Sequence, residues 1–298
     1  MPRLDYAGPN AQQIEYWNDQ AGPKWVALQT LIDEQIGPLG RRAMDRAAIV
    51  PGERILDVGC GCGHTTLELA RRTRATGAVT GIDISSVMLE RARVLARDVA
   101  LGAVDFVEAD AQTHAFSSDY DLLFSRFGVM FFTDPDAAFT NLRTALGPGG
   151  RLVFVCWRAL PENPWMFVPL GAAMQHIPPP SMLDPNAPGP FSFADPERVR
   201  GILSRAGFSA VTVEPLDETL TVGGGADLDR TVDFLLQMGP TAAALREAGV
   251  ATSSLVANAV REALRPFETA AGIRMGSASW IVTARASKLA RSRPGGGA

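Results

Sequence analysis

The sequence predicts an α/β protein built on a doubly wound, largely parallel sheet, and three observations carry that expectation. Five short apolar segments alternate with helical periodicities between residues 55 and 157. A glycine cluster directly follows the first segment, and an aspartate closes the second. Strands buried on both faces read as continuous apolar runs, as a sheet sandwiched between helices requires.

The elements follow in order. Residues 10–50 read as helical, with Trp17, Trp25, Leu28, Leu31 and Ile32 as apolar positions. Pro51-Gly52 turns the chain into the first strand, Ile55-Leu56-Asp57-Val58, and residues 65–73 form a helix. Residues 78–83 make the second strand, and Ser85 or Ser86 offers a hydroxyl cap to the next helix. Met88, Ala92, Leu95, Ala96 and Val99 give that helix its core-facing stripe. Residues 104–109 and 120–125 are strands three and four. A helix over 137–146 stops at Gly147-Pro148-Gly149-Gly150, and residues 151–157 are strand five.

Beyond Trp157 the alternation breaks. Residues 158–177 read as helical, and the proline-rich 178–190 as an irregular connection. A helix opens at Pro196 and runs through Val199, Ile202 and Leu203 to Gly207, before a strand over 210–213. Residues 226–270 are helical and alanine-rich, with Val256, Val260, Ala263, Leu264 and Phe267 on one apolar face. A last strand covers 278–284, and residues 291–298 form a frayed tail.

Composition narrows the function. The 298 residues are 46% hydrophobic and 20% charged, with 28 Lys+Arg against 32 Asp+Glu and a net charge of −4. No positive excess points to nucleic acid or an anionic membrane. Three cysteines cannot build a secreted disulfide framework, and no apolar run reaches a membrane-spanning length. Neither a signal peptide nor a span is expected, so the expected location is the cytoplasm.

The sharpest motif is Asp57-Val58-Gly59-Cys60-Gly61-Cys62-Gly63-His64, after strand one and opening a helix. Glycines there let backbone approach a ligand at the sheet's carboxyl edge. A dinucleotide site wants G-x-G-x-x-G, whereas this spacing is G-x-G-x-G. Asp57 would repel a pyrophosphate but favour an ammonium. The pattern favours a nucleoside without phosphates that carries a cationic tail, with Asp83 placed to accept both ribose hydroxyls.

In these residues the chain resembles the class I S-adenosylmethionine-dependent methyltransferases, clearly over about residues 50–157. Asp57, Gly59, Gly61 and Gly63 resemble the family's first motif, which cradles the methionine part of the cofactor. Gly81-Ile82-Asp83-Ile84-Ser85-Ser86-Val87-Met88 resembles the second, implying Asp83 on the ribose, Met88 near the adenine and Ile84 as a further cofactor contact. Glu108-Ala109-Asp110-Ala111 resembles the segment that reads the adenine amino group through Asp110, with Ala111 beside it. Tyr120 to Ser125 and Leu146 to Leu152 resemble the fourth-strand motif and the turn before strand five. The resemblance implies a Rossmann-like seven-stranded sheet, mostly parallel with the last strand antiparallel, plus a helical N-terminal cap and helical insertions. It assigns 1–50 to the cap, 51–157 to the cofactor-binding core and 158–190 to a lid. Residues 191–220 continue the core, 221–272 form a helical insertion, and 273–298 form the last strand and tail.

Within the family the chain is most similar to the ubiquinone and menaquinone methyltransferase branch, which includes many small-molecule enzymes. Ser125 to Asp134 carry Met and Phe where that branch often has His, which counts against a quinone-type acceptor. No Asn-Pro-Pro-Tyr-like sequence follows strand four, which counts against amino methylation of adenine or glutamine.

Methyl transfer from a sulfonium needs an excluded-water site and a collinear nucleophile more than a base. Tyr16, Trp17 and Trp25 are candidates to face the sulfonium, against the alternative that they only pack. Ser125 and Arg126 sit at the carboxyl edge. Arg126 either binds a carboxylate, of cofactor or acceptor, or forms an ion pair with Asp134. His176, before the proline-rich segment, is with Arg126 a catalytic candidate; His64 and His114 read as helix-start and loop residues. Cys60 and Cys62 lack partners for a zinc site, and no metal is expected. Trp165, Met166, Phe167, Met174 and Met182 are expected to border the acceptor pocket. The resulting expectation is a metal-independent methyltransferase using S-adenosyl-L-methionine on a small, partly apolar acceptor. It would act as a monomer or homodimer, with no nucleic-acid or membrane partner. A cofactor-binding regulatory protein without turnover and an RNA methyltransferase are the alternatives.

Overall fold

The computed structural model describes residues 4, 8–97, 99, 102–117, 119–181, 184–249 and 254–286. Met182 and the 291–298 tail lie outside them. The strands are β1 (Arg54–Val58), β2 (Ala78–Asp83), β3 (Ala103–Glu108), β4 (Tyr120–Arg126), β5 (Leu146–Trp157), β6 (Phe208–Val222), the two-residue β7 (Glu268–Thr269) and β8 (Gly272–Ala286). They form one sheet in the order β3-β2-β1-β4-β5-β8-β6, with β7 paired to β8 off this path. Pairs from β3 through β5 are parallel, whereas β8 runs antiparallel to both β5 and β6. Strand order reverses between β1 and β4, so a crevice opens beyond their carboxyl ends.

Apolar runs explain the central strands. Leu56, Leu122, Leu123, Phe124 and Phe154 are buried in the sheet. Phe139, Phe154 and Phe193 extend the core as a ring cluster with centroids 5.8 to 6.1 Å apart. Helix α4 (His64–Thr73) follows β1 and α5 (Ser86–Arg97) follows β2. Ser85 caps α5, its Oγ accepting from the Met88 N–H at 3.3 Å. Val99, the end of the expected stripe, lies beyond that helix.

Several boundaries differ from the sequence reading. The N-terminal helix divides into α1 (Ala11–Glu15), a π-helical turn (Tyr16–Gln20), α2 (Ala21–Ala27) and α3 (Gln29–Ala47). The wide turn leaves the Trp17 carbonyl to accept from Ser85 Oγ at 2.8 Å. Helix α6 (Pro135–Ala145) begins earlier than expected because Asp134 caps it, accepting from the Ala137 N–H at 3.0 Å. Gly147–Gly150 fall inside β5, where the register with β4 shifts, rather than between helix and strand.

Residues 158–177 hold a short 3-10 turn (Leu160–Glu162) and then α7 (Pro164–Ala173). Asn163 sets that start: its amide donates to the Ala278 carbonyl at 3.1 Å and accepts from the Ala278 N–H at 2.9 Å. Helix α8 (Pro196–Arg205) begins at Pro196 as read, with Asp195 as its cap. The alanine-rich stretch breaks into α9 (Leu228–Gln237), α10 (Gly239–Glu247) and α11 (Ser254–Leu264). Strands β6 and β8 are much longer than their apolar centres, pairing from Phe208↔Ala286 to Val222↔Ile273. Polar residues such as Asp217 and Glu218 hide that length. An edge strand tolerates them because one side meets water. Among the described residues no helix is long and apolar enough to cross a membrane.

Candidate active site

The glycine turn stands at the strand-order reversal. Gly59, Gly61 and Gly63 all have positive φ (67°, 55° and 82°). A Cβ on Gly59 would lie 2.7 Å from Gly128 Cα, so the loops after β1 and β4 touch backbone to backbone. A Cβ on Gly63 would sit 2.8 Å from Ala92 Cβ and 3.0 Å from the Phe106 ring. Gly63 therefore seats α4 against α5 and β3 and does not line the cavity. Gly59 and Gly61 do line it.

Asp57 lies beneath this turn and is fully buried. Its Oδ2 accepts from the hydroxyls of Thr65 (2.6 Å) and Thr66 (2.7 Å), which ties β1 to the first turn of α4. Its Oδ1 has no hydrogen-bond partner. Burial pushes the Asp57 carboxyl up to about 6, against the two threonine hydrogen bonds and the Arg126 charge. Asp83, at the end of β2, accepts from the Gly61 N–H at 2.8 Å and the Ser85 N–H at 2.9 Å. Burial again dominates and raises it to about 6. Asp110, after β3, is held by Asn10, whose amide donates to both carboxylate oxygens at 2.9 and 2.8 Å.

Asp83 and Asp110 open on one cavity of about 700 Å³, whereas Asp57 lies behind the glycine turn and does not line it. Beyond β1, β2 and β3 its wall is polar, with Gly61, Asp83 and Asp110. Beyond β4 and β5 it is aromatic and aliphatic, with Phe127, Trp157, Trp165, Met166, Leu170 and Phe234. The π-helical turn contributes Tyr16 and Trp17, and α2 contributes Trp25. Trp17 packs edge-on against Tyr16, Trp25 and Phe131, with centroids 5.0 to 5.8 Å apart. Ile84, Met88 and Ala111 also line the space.

Arg126 makes an ion pair, but not with Asp134, whose carboxylate is spent on capping α6. Helix α3 brings Asp33 to the carboxyl edge instead, and Arg126 Nη2 donates to its Oδ1 at 2.8 Å. Arg126 Nη1 lies 3.3 Å from His64 Nδ1. Burial, reinforced by the Arg126 charge, lowers the His64 pKa. The ring is therefore neutral near pH 7 and receives an Arg126 N–H on Nδ1. Arg126, Asp33 and His64 all line the cavity.

Besides Gly63 and Asp57, two expected site residues lie off the cavity wall. His176 is exposed on the turn after α7 and is not part of the cavity wall, because the helix ends before it. Ser125 is fully buried, its Oγ donating to the Val58 carbonyl at 2.7 Å, so it fastens β4 to β1 and does not line the cavity. Sequence reasoning missed Asn10, Asp33, Phe127 and Trp157. Asn10 and Asp33 carried no signal, because only folding brings them within reach of Asp110 and Arg126. Cys60 and Cys62 line the turn as buried thiols; burial lifts Cys62 to about 12. Among the described residues no group of three or more His, Cys, Asp or Glu is placed to hold a metal.

Gly22 tests the N-terminal closure. A Cβ there would meet the Trp17 carbonyl oxygen at 2.1 Å and Ser85 Oγ at 2.9 Å. Gly22→Ala is expected to dislodge the Trp17 turn, cost about 1–3 kcal/mol of stability and weaken ligand binding about tenfold or more. Thermal unfolding and calorimetry measure the two effects.

The fold and cavity define a protein that binds a nucleoside-type ligand at the switch point of a Rossmann-like sheet. Residues 55–150 match the family model described as a methyltransferase domain. Aklanonic acid methyltransferase DauC of Streptomyces sp. (strain C5) is 36% identical over 148 residues, which are 47% of this chain and 67% of that protein. The ubiquinone/menaquinone biosynthesis C-methyltransferase UbiE of Psychromonas ingrahamii is 36% identical over 115 residues, 38% of this chain and 46% of that protein. The chain thus spans two thirds of the first and about half of the second. A solved structure of Haemonchus contortus phosphoethanolamine N-methyltransferase 2, bound to phosphomonomethylethanolamine and S-adenosylhomocysteine, superposes with a TM-score of 0.51. It shares 18% identity and covers 84% of this chain and 53% of its own. The chain belongs to the class I S-adenosylmethionine-dependent methyltransferases.

Proposed function

We propose that this methyltransferase acts, without a metal, on a small and partly apolar organic acceptor, chiefly by positioning it and excluding water. One observation carries the reading: a single cavity joins a polar end at the glycine turn to an aromatic end at β5 and α7. The relatives named for aklanonic acid and for ubiquinone and menaquinone biosynthesis support a small-molecule acceptor.

The residues present fit S-adenosylmethionine. Asp57, buried behind the Gly59–Gly61 turn with its Oδ1 unpartnered, favours a cationic group in the space in front of that turn. The Arg126–Asp33 pair presents both signs of charge to the same space, complementing an amino-acid zwitterion. Asp83 would take the ribose hydroxyls, and Asp110 with Ala111 the adenine edge, flanked by Ile84 and Met88. When bound, the cofactor supplies an electrophilic methyl group on a sulfonium. The chain contributes aromatic walls that keep water out, a roof of Tyr16, Trp17 and Trp25, and fixed carboxylates that favour a cationic ligand. His64 is a poor base because Arg126 occupies its Nδ1. Three buried, unpaired thiols suit a reducing cytoplasm, where we place the protein.

The test incubates the purified protein with methyl-labelled cofactor and a panel of small apolar acceptors, with and without EDTA. S-adenosylhomocysteine and a methylated acceptor should form at equal rates in both. Cofactor binding with no product across the panel would point instead to a binding protein without turnover. Loss of activity with EDTA would overturn metal independence.

A further inference from the structure

The aromatic end of the cavity is built in a way that packing alone does not explain. Phe127 and Trp157 are stacked face to face, with centroids 4.0 Å apart and planes within 10°. Trp165 continues the wall, its ring 5.4 Å from Trp157. Phe127 holds this position at φ +62°, in the left-handed region that disfavours a residue with a side chain. A bulky residue there is uncommon, and such strain clusters where ligands are clamped. Two hydrogen-bonded or packed neighbours enforce it: the Phe127 N–H donates to the Val155 carbonyl at 3.0 Å, and Gly128 abuts Gly59.

Trp165 supplies a second, independent observation. It lines the cavity with only 7% of its surface exposed, and its buried indole N–H has no hydrogen-bond partner. A buried donor left unpaired is costly, and tryptophan in a core normally finds an acceptor for that N–H. Met166, Leu170 and Phe234, which also line this end, offer apolar contact only.

We propose that the methyl acceptor is a planar, conjugated ring system bearing a carbonyl or carboxylate oxygen. It lies against the Phe127–Trp157–Trp165 wall with its oxygen accepting from the Trp165 indole N–H. Trp165 is thereby a specificity-determining residue. The inference rests on the function proposed above and adds the chemical class of the acceptor.

Three probes separate its parts: fluorenone, a flat ring ketone; fluorene, the same frame without oxygen; and decalone, a ketone on a puckered saturated frame. Each is titrated into the protein saturated with S-adenosylhomocysteine, and the same series is run on Trp165→Phe. Fluorenone should bind about tenfold or more tightly than either alternative. In Trp165→Phe its advantage over fluorene should vanish while the affinity for S-adenosylhomocysteine is unchanged. Decalone binding as tightly as fluorenone would overturn the planar-ring assignment. Fluorene equalling fluorenone on the unaltered protein, or an advantage that survives Trp165→Phe, would overturn the indole donor. Failure of S-adenosylhomocysteine itself to bind would instead strike at the underlying function, so the two failures are distinguishable. The comparison on the unaltered protein stands even where the variant does not fold.

Discussion

Asp83→Ala is expected to weaken S-adenosylmethionine binding by about 100-fold or more, the largest single-residue effect in the cavity. The carboxylate closes β2 at the cavity wall, 7% exposed, where two ribose hydroxyls can meet it. Hydrogen bonds to a charged group contribute about 1.5–3 kcal/mol each, and 1.4 kcal/mol is about tenfold in affinity. The same side chain anchors the Gly61 and Ser85 N–H groups, so its loss also loosens the glycine turn and the start of α5. Asp83→Asn separates these contributions. Its amide oxygen can keep one backbone anchor, so it should retain more thermal stability than alanine while still losing most of the affinity. Calorimetric titration measures the binding. An affinity for Asp83→Ala within twofold of the unaltered protein would remove Asp83 from the ribose site.

The second large effect concerns protons. Burial raises both Asp57 and Asp83 to about 6, above the ordinary 3.8. Each ionised carboxylate therefore opposes folding. The stability tied to the protonated form is full below the unfolded value and is lost as pH rises through about 6, a difference on the order of 3 kcal/mol per group. A cationic ligand reverses the balance for Asp57 by favouring the ionised form. Binding of S-adenosylmethionine near pH 6 should accordingly release protons, visible as a calorimetric enthalpy that depends on the buffer. Affinity should fall as pH drops from 7.5 toward 5. Asp57→Asn keeps an acceptor for Thr65 and Thr66 but cannot ionise. It should match the unaltered protein in stability only below about pH 4, exceed it increasingly as pH rises through about 6, and bind the cofactor about tenfold or more weakly. Buffer-independent enthalpies and a flat affinity from pH 5 to 8 would show that neither carboxylate titrates on binding.

Much of this site was legible before folding was considered, and the reason is local. The turn Gly59-Cys60-Gly61 and the carboxylates at 57, 83 and 110 each sit at the end of a short apolar strand. Parallel packing carries such strand ends to one edge wherever the helices between them lie. Three glycines in one motif nevertheless do different work. Gly61 and Gly59 line the cavity, whereas Gly63 makes room for Ala92 and Phe106. Only contacts between elements separate those roles. The edge strand β6 outruns its apolar centre for a related reason. Along an edge, alternating polar residues satisfy a strand as well as a loop, and only pairing distinguishes them.

By itself the sequence determined the α/β class, the switch-point ligand site and the kind of ligand that a G-x-G-x-G turn with Asp57 beneath it can accept. These depend on strand periodicity and on groups close along the chain. The tertiary structure decided what long-range contact decides. It paired Arg126 with Asp33 from α3, 93 positions away, in place of Asp134. It set Asn10 on Asp110, left His176 outside the cavity, and stacked Phe127 on Trp157. Residues far apart in sequence meet only when whole helices dock on the sheet, and no local pattern encodes which side chains that docking brings together.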